Sequence, residues 1–208
     1  ITGREARMVT RHMLDYGTNL VAGVTPGRGG QQVDEVPVYD TVAQAVSQHQ
    51  PNASLISVPP GATLDAVSEA IHHDIPLVVI ATEGIPQHDA LHILEFAERS
   101  GTVVIGPNSV GVINPTEHVK IGAIGGEHPG RAFVPGPVGI MSRSGGMTAE
   151  LGLTLRLAGF GVSTAISVGG DALIGSTPAT LLASFQDDPN TEAVVLFGEP
   201  GTRFEEEV

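Results

Sequence analysis

The sequence predicts an α/β protein built on parallel sheets, and three observations carry that reading. Short apolar runs alternate with helix-length amphipathic stretches along nearly the whole chain, the pattern of successive βαβ units. Several runs are apolar at consecutive positions, as strands covered by helices on both faces require. Aromatic residues make up only 4% and tryptophan is absent, so the interior has to be built from Val, Ile, Leu and Ala.

Taken in order, Arg4–Tyr16 reads as an amphipathic helix and Leu20–Val24 as the strand after it. Thr41–Gln48 is the next helical stretch. Ser54–Val58, Leu77–Ile80 and Val103–Ile105 read as strands, separated by the helices Thr63–His72 and Pro86–Ser100. The rhythm then breaks, because Asn114 to Gly136 is rich in Gly and Pro and has no helical period. Beyond it, the strands Val138–Met141, Val162–Ser167 and Ala193–Phe197 alternate with the helices Gly146–Leu157 and Pro178–Phe185. The expected organisation is a first domain over residues 1–116, a crossover over 117–136 and a second, incomplete domain over 137–208 with about three strands. Both ends read as trimmed. Ile1-Thr2-Gly3 runs straight into a helix with no buried strand before it. Glu205–Glu207 looks like the first turn of a helix, where acidic residues suit the dipole.

The composition excludes several classes of function. A formal net charge of −13 argues against a broad grip on nucleic acid or anionic lipid, which needs clustered Lys and Arg. Any phosphate group has to be held locally, by backbone N–H groups and one or two arginines. No cysteine is present, so there is no disulfide frame and no thiolate site. No apolar run approaches the ~18 residues of a membrane span, and no signal peptide is expected at the start of the chain. A cytoplasmic or organelle-matrix protein is expected. Among the eight histidines, His88 and His92 share a helix face beside Asp89, but no third ligand follows and no metal site is predicted.

Residues past the C-terminal ends of parallel strands form the ligand crevice of an open α/β sheet, and the unusual segments of this chain fall there. Thr2-Gly3-Arg4-Glu5-Ala6 is a glycine turn opening a helix, where free N–H groups favour an anion and Arg4 could contact a phosphate. It lacks the G-x-G-x-x-G spacing of a dinucleotide site, and a plain structural turn stays open. Val24-Thr25-Pro26-Gly27-Arg28-Gly29-Gly30 sets one cation among three glycines. An acid there would suit an unmodified ribose, so Arg28 favours a phosphorylated one, as in CoA or NADP; a glycine hairpin with a solvated arginine is the alternative. Ser57-Val58-Pro59-Pro60, Ala81-Thr82-Glu83-Gly84-Ile85-Pro86 and Gly106-Pro107-Asn108 follow the next three strand runs. Ser142-Arg143-Ser144-Gly145-Gly146 lies between a strand and a helix and offers hydroxyls and amides to a phosphate, or simply a serine cap. Gly169-Gly170-Asp171 and Gly198-Glu199 complete the series.

In this order the segments resemble the α subunit of succinyl-CoA synthetase (succinate–CoA ligase) and its relatives, the malate–CoA ligases and ATP-citrate lyase. The matching phrases are Thr2-Gly3, Gly23 to Gly30, Thr82 to Pro86, Gly106 to Asn108, Ser142 to Gly145, Gly169 to Asp171 and Gly198-Glu199. The resemblance implies a Rossmann-like CoA-binding domain followed by a flavodoxin-like domain. It implies that CoA meets Thr2, Gly3, Arg4, Glu5 and Arg28 with its phosphates. The pantetheine arm would lie near Val58, Pro59, Ala81, Thr82, Glu83 and Asn108. It further implies an acid–thiol ligase that forms an acyl-CoA thioester through phosphohistidine and acyl-phosphate intermediates. Ser142, Ser144, Gly145 and Gly146 would hold the phosphate and Glu199 would orient the histidine. A β subunit, as αβ or α2β2, would supply ATP or GTP with Mg²⁺, and a small carboxylic acid would be the substrate.

Three features depart from the succinate enzymes. No histidine here stands in the family's Gly-His-Ala-Gly-like phrase, Arg28 replaces the usual lysine, and Gly145-Gly146-Met147 is nearer the ATP-citrate lyase version. The acid is therefore left open. A non-catalytic CoA or acyl-CoA module and an NADP oxidoreductase are the other two readings.

Overall fold

The computed structural model describes the backbone of residues 1–208 and every side chain except those of Glu205 and Glu207. It is a mixed α/β structure with three sheets. The chain starts with α1 (Arg4–Tyr16), stopped by Gly17 in the left-handed region, and continues through β1 (Gly23–Val24), β2 (Gln32–Val33) and β3 (Val36–Tyr39). These strands form a sheet of order β1-β3-β2, with β1 parallel and β2 antiparallel to β3. The helix α2 (Val42–His49) follows, capped by Thr41, whose hydroxyl accepts from Gln44 N at 3.3 Å.

The second sheet is fully parallel, in the order β4 (Ala53–Ile56), β5 (Leu77–Ile80) and β6 (Val103–Ile105). Two helices, α3 (Thr63–His72) and α4 (Gln87–Ser100), connect its strands. Val67, Ala70, Val78 and Ile80 are fully buried between helices and sheet. Burial on this scale contributes about 1.5–3 kcal/mol for each large aliphatic side chain. The continuous apolar run of β5 has its reason here, since both faces of the sheet are covered.

The third sheet has five strands in the order β11-β9-β10-β7-β8. Its parallel part is β11 (Ala193–Phe197), β9 (Pro135–Ser142) and β10 (Val162–Ser167). The helices α5 (Gly145–Leu157) and α6 (Pro178–Asp187) connect these strands. The antiparallel hairpin β7 (Val112–Asn114) and β8 (Val119–Ile121) extends it from the edge of β10. The segment expected to be a bare crossover therefore supplies β8 to this sheet, and β7 precedes it. Glycine and proline mark its turns, while the two strands are only three residues each and too short to show a period.

Two further differences concern the first sheet. The run Leu20–Val24 is strand only at Gly23–Val24, and β2 and β3 were not expected. Between the sheets lies an apolar cluster drawn from both: Val79 and Ile105 meet Met141, Ile166, Val168, Ile174, Leu181 and Phe185. The two α/β units thus share a core.

The hairpin also fastens α1. Thr18 Oγ1 donates to Lys120 O at 2.8 Å and accepts from Lys120 N at 2.9 Å. The Lys120 side chain is 0% exposed, and its ammonium donates to Gly126 O. It has no ion pair among the described residues. Burial pushes its pKa down from 10.5 to about 8. No helix among the described residues is long and apolar enough to cross a membrane.

Candidate functional site

The segments predicted to face a ligand all lie past the C-terminal ends of parallel strands or at helix starts. Gly3 is the N-cap of α1 with extended backbone and no side-chain cap. A Cβ placed there would meet nothing within 4 Å, so the turn is open on that side. Thr2 Oγ1 lies 3.4 Å from Thr25 Oγ1, which brings the helix start beside the loop after β1. That loop is pinned by Thr25 N to Tyr39 O (2.9 Å), Gly30 N to Val38 O (3.0 Å) and Gly29 N to Asp40 Oδ1 (2.8 Å). Arg4, Glu5 and Arg28 are exposed. Among the described residues none of these three side chains makes a hydrogen bond or ion pair. The Arg28 guanidinium is a free cation on an anchored loop.

The ends of β4, β5 and β6 are joined by a line of hydrogen bonds. Thr82 Oγ1 donates to Val58 O at 2.8 Å, and Asn108 N donates to Thr82 O at 2.9 Å. Asn108 Nδ2 donates in turn to Asp171 Oδ1 at 2.9 Å, and Gly170 N to Asn108 O at 3.2 Å. The loop after β6 thereby meets the loop after β10. Backbones touch here: Gly169 has φ +120°, and a Cβ on it would lie 2.3 Å from Pro107 O, so only glycine fits. A cleft of about 360 Å³ opens beside this junction, lined by Ile85, Gln87, Ala90 and Gly170 to Leu173. Ala81 is half-buried and Glu83 and Pro59 are exposed along the same edge.

At the start of α5 the serines divide their work. Ser142 is 0% exposed, and its hydroxyl donates inward to Ser144 O at 2.8 Å. It shapes the turn and does not face outward. Ser144 is the N-cap and accepts from Met147 N at 3.4 Å. Gly145 packs against Val110, where a Cβ would come within 2.6 Å of Cγ1, whereas Gly146 faces open space. The N–H groups of Gly145 and Gly146 have no backbone acceptor among the described residues, and an anion suits such a helix start. Glu199 lies two residues past Phe197, which pairs with Ser142 across β11 and β9. Its half-buried carboxylate therefore sits at the same sheet edge.

A family model described as "CoA binding domain" matches residues 1–84, and one described as "CoA-ligase" matches residues 141–208. The ADP-forming succinate–CoA ligase α subunit of Methanothermobacter thermautotrophicus is 48% identical over 206 residues, covering 99% of this chain and 68% of that protein. The chain belongs to the succinate–CoA ligase α-subunit family. An ADP-forming sulfoacetate–CoA ligase subunit from an Acholeplasma species is 42% identical over 211 residues, covering 100% of this chain and 70% of that one. Among solved structures, ATP citrate lyase from Methanothrix soehngenii, in complex with citrate and coenzyme A, superposes with a TM-score of 0.86 at 23% identity. That match covers 98% of this chain and 36% of the lyase chain, and it speaks to the fold alone.

Two residues of this family member drew no role from the sequence. Arg143 is 3% exposed. Its Nε donates to Gly169 O at 3.2 Å and its Nη2 to Asp171 O at 2.7 Å, with the guanidinium 5.1 Å from the centre of the Phe204 ring. Its Nη1 is buried without a partner among the described residues. Asp171 was legible only as part of a glycine phrase. Nothing in the sequence separates Arg143 from the serines beside it, and only the fold reveals that it points inward. The paired histidines are surface features: the His88 and His92 Nε2 atoms lie 3.3 Å apart on an exposed face of α4.

Proposed function

We propose that this chain is the CoA-binding subunit of a nucleotide-dependent carboxylate–CoA ligase, making or breaking an acyl-CoA thioester. The observation that carries the reading is the pairing of two open helix starts, α1 and α5, with the hydrogen-bonded line Val58–Thr82–Asn108–Asp171 on the same strand edges. Family membership supports it, as do the matched CoA-binding and CoA-ligase segments.

The residues fit CoA. The bare Gly3 turn and the free Arg28 offer a phosphate-binding face. Arg28 reads the ribose phosphate, Thr2 to Glu5 hold the pyrophosphate, and Ala81 to Glu83 with Val58, Pro59 and Asn108 border the pantetheine arm. When bound, CoA supplies the thiol that ends as the thioester.

At the other site, the N–H groups of Gly145 and Gly146 and the Ser144 hydroxyl hold a phosphoryl group. Preorganised donors of this kind stabilise charge that builds in the transition state. Ser142 locks the turn from within. Glu199 would accept a hydrogen bond from a phosphoryl-carrying histidine that is none of the eight in this sequence, and the phosphoryl group would pass from it to the carboxylic acid. A β subunit brings ATP or GTP with Mg²⁺. The first unit, read as residues 1–116, carries most of the CoA site and the second, 137–208, the phosphoryl site.

Calorimetric titration with CoA, dephospho-CoA and NADP⁺ tests the reading. Micromolar CoA binding, weakened by loss of the ribose phosphate, supports it. A folded chain that ignores CoA or prefers NADP⁺ overturns it.

A further inference from the structure

We infer that Asp171 is a positioning residue for CoA, tying the loop after β10 to Asn108 and so fixing the wall of the cleft between the two α/β units. The inference rests on the CoA reading above. Arg143 holds this loop through the carbonyls of Gly169 and Asp171, not through the carboxylate. The Asp171 carboxylate instead accepts from Asn108 Nδ2 at 2.9 Å. Asn108 stands at φ +56°, a left-handed conformation that asparagine visits more readily than most residues but that the surroundings must enforce.

From Asn108 the line runs through Thr82 O and the Thr82 hydroxyl to Val58, crossing the ends of β6, β5 and β4. On its other side, Gly170, Asp171 and Ala172 line the cleft together with Ile85 and Gln87. Among the described residues the carboxylate makes the one side-chain hydrogen bond between this lining and the strand ends expected to border the pantetheine arm, while Leu173 packs against the core beneath them. Three backbone bonds hold the two loops together without it: Gly106 N to Val168 O, Gly175 N to Gly106 O and Gly170 N to Asn108 O. Removing the carboxylate thus leaves the loops joined and loosens the cleft only at the contact of Asp171 with the Asn108 side chain.

The test is CoA titration of the full chain as wild type, Asp171→Ala, Asp171→Asn, Asn108→Ala and the Asn108→Ala/Asp171→Ala double variant. Asp171→Ala should weaken CoA about tenfold, while Asp171→Asn, which keeps an acceptor oxygen, should recover most of the loss. The double variant should lose no more than the worse single one, because both remove the same link. Additive losses, or an Asp171→Ala chain that binds CoA like wild type, would overturn the inference. Should Asp171→Ala fail to fold, Asn108→Ala and Asp171→Asn carry the test, and equal losses in the two overturn it. A folded wild type that binds no CoA removes the CoA reading itself, and this inference with it.

Discussion

Replacing Lys120 with Met should stabilise the protein at neutral pH, and the gain should disappear in alkali. The ammonium is enclosed at 0% exposure, with Gly126 O as its acceptor and no counter-charge among the described residues. Its pKa falls from 10.5 in the unfolded chain to about 8 in the fold. At 1.36 kcal/mol per pH unit, that gap is a penalty of about 3 kcal/mol for holding the charged form. The sign follows from proton counting. Below pH 8 both states are protonated and the whole penalty applies. Between 8 and 10.5 the unfolded chain holds more protons than the folded one, so wild-type stability rises with pH. By pH 9.5 it should regain about 2 kcal/mol. Methionine fills a similar volume without the charge but leaves Gly126 O without its donor, at a cost of about 1 kcal/mol. The Lys120→Met variant should therefore be more stable by about 2 kcal/mol at pH 7 and no more stable than wild type near pH 9.5. The chain has no tryptophan, so urea unfolding followed by far-UV circular dichroism between pH 6.5 and 9.5 is the assay. A difference between the two proteins that stays constant across that range would refute the reasoning.

Three other outcomes are expected. Arg28→Ala should weaken CoA by about tenfold and dephospho-CoA far less, since one charge-assisted contact is worth about 1.5–3 kcal/mol; equal losses for the two ligands would place the arginine elsewhere. Gly169→Ala forces a Cβ to within 2.3 Å of Pro107 O at a positive φ, and should cost at least about 2 kcal/mol in urea unfolding. Phe133→Ala empties the centre of the cluster formed with Ile113, Ile124, Ile140 and Val162, and should cost about 3–5 kcal/mol by the same assay.

Much of the architecture was legible because the parallel strands are short, consecutively apolar and bounded by glycine or proline. Leu77–Ile80, Val103–Ile105, Val162–Ser167 and Ala193–Phe197 appear in the structure with the limits read from the sequence, as do the helices Arg4–Tyr16 and Thr63–His72. What escaped were strands whose local chemistry argues against them. In β3, Pro37 occupies a position that ordinarily needs a donor. In β8, Lys120 looks like a solvated residue until the hairpin closes over it.

At the site, the sequence located the loops but not the directions of their side chains. Ser142 and Ser144 are two residues apart and alike in type, yet one bonds inward and the other caps a helix. The Asn108–Asp171 bond joins residues 63 positions apart, a proximity that no local pattern carries.

The seating of α1 on the β7–β8 hairpin has a consequence for how the chain is made. The hairpin gains its sheet only by pairing with β10, whose residues 162–167 emerge from a ribosome well after it. At about 5–20 residues per second, that interval lasts some seconds. Through it, α1 has already been synthesised but the hairpin that seats it lacks its sheet neighbour. The helix is made before the strand that completes the sheet under its seat, so a mutation in β10 should be felt during synthesis at α1.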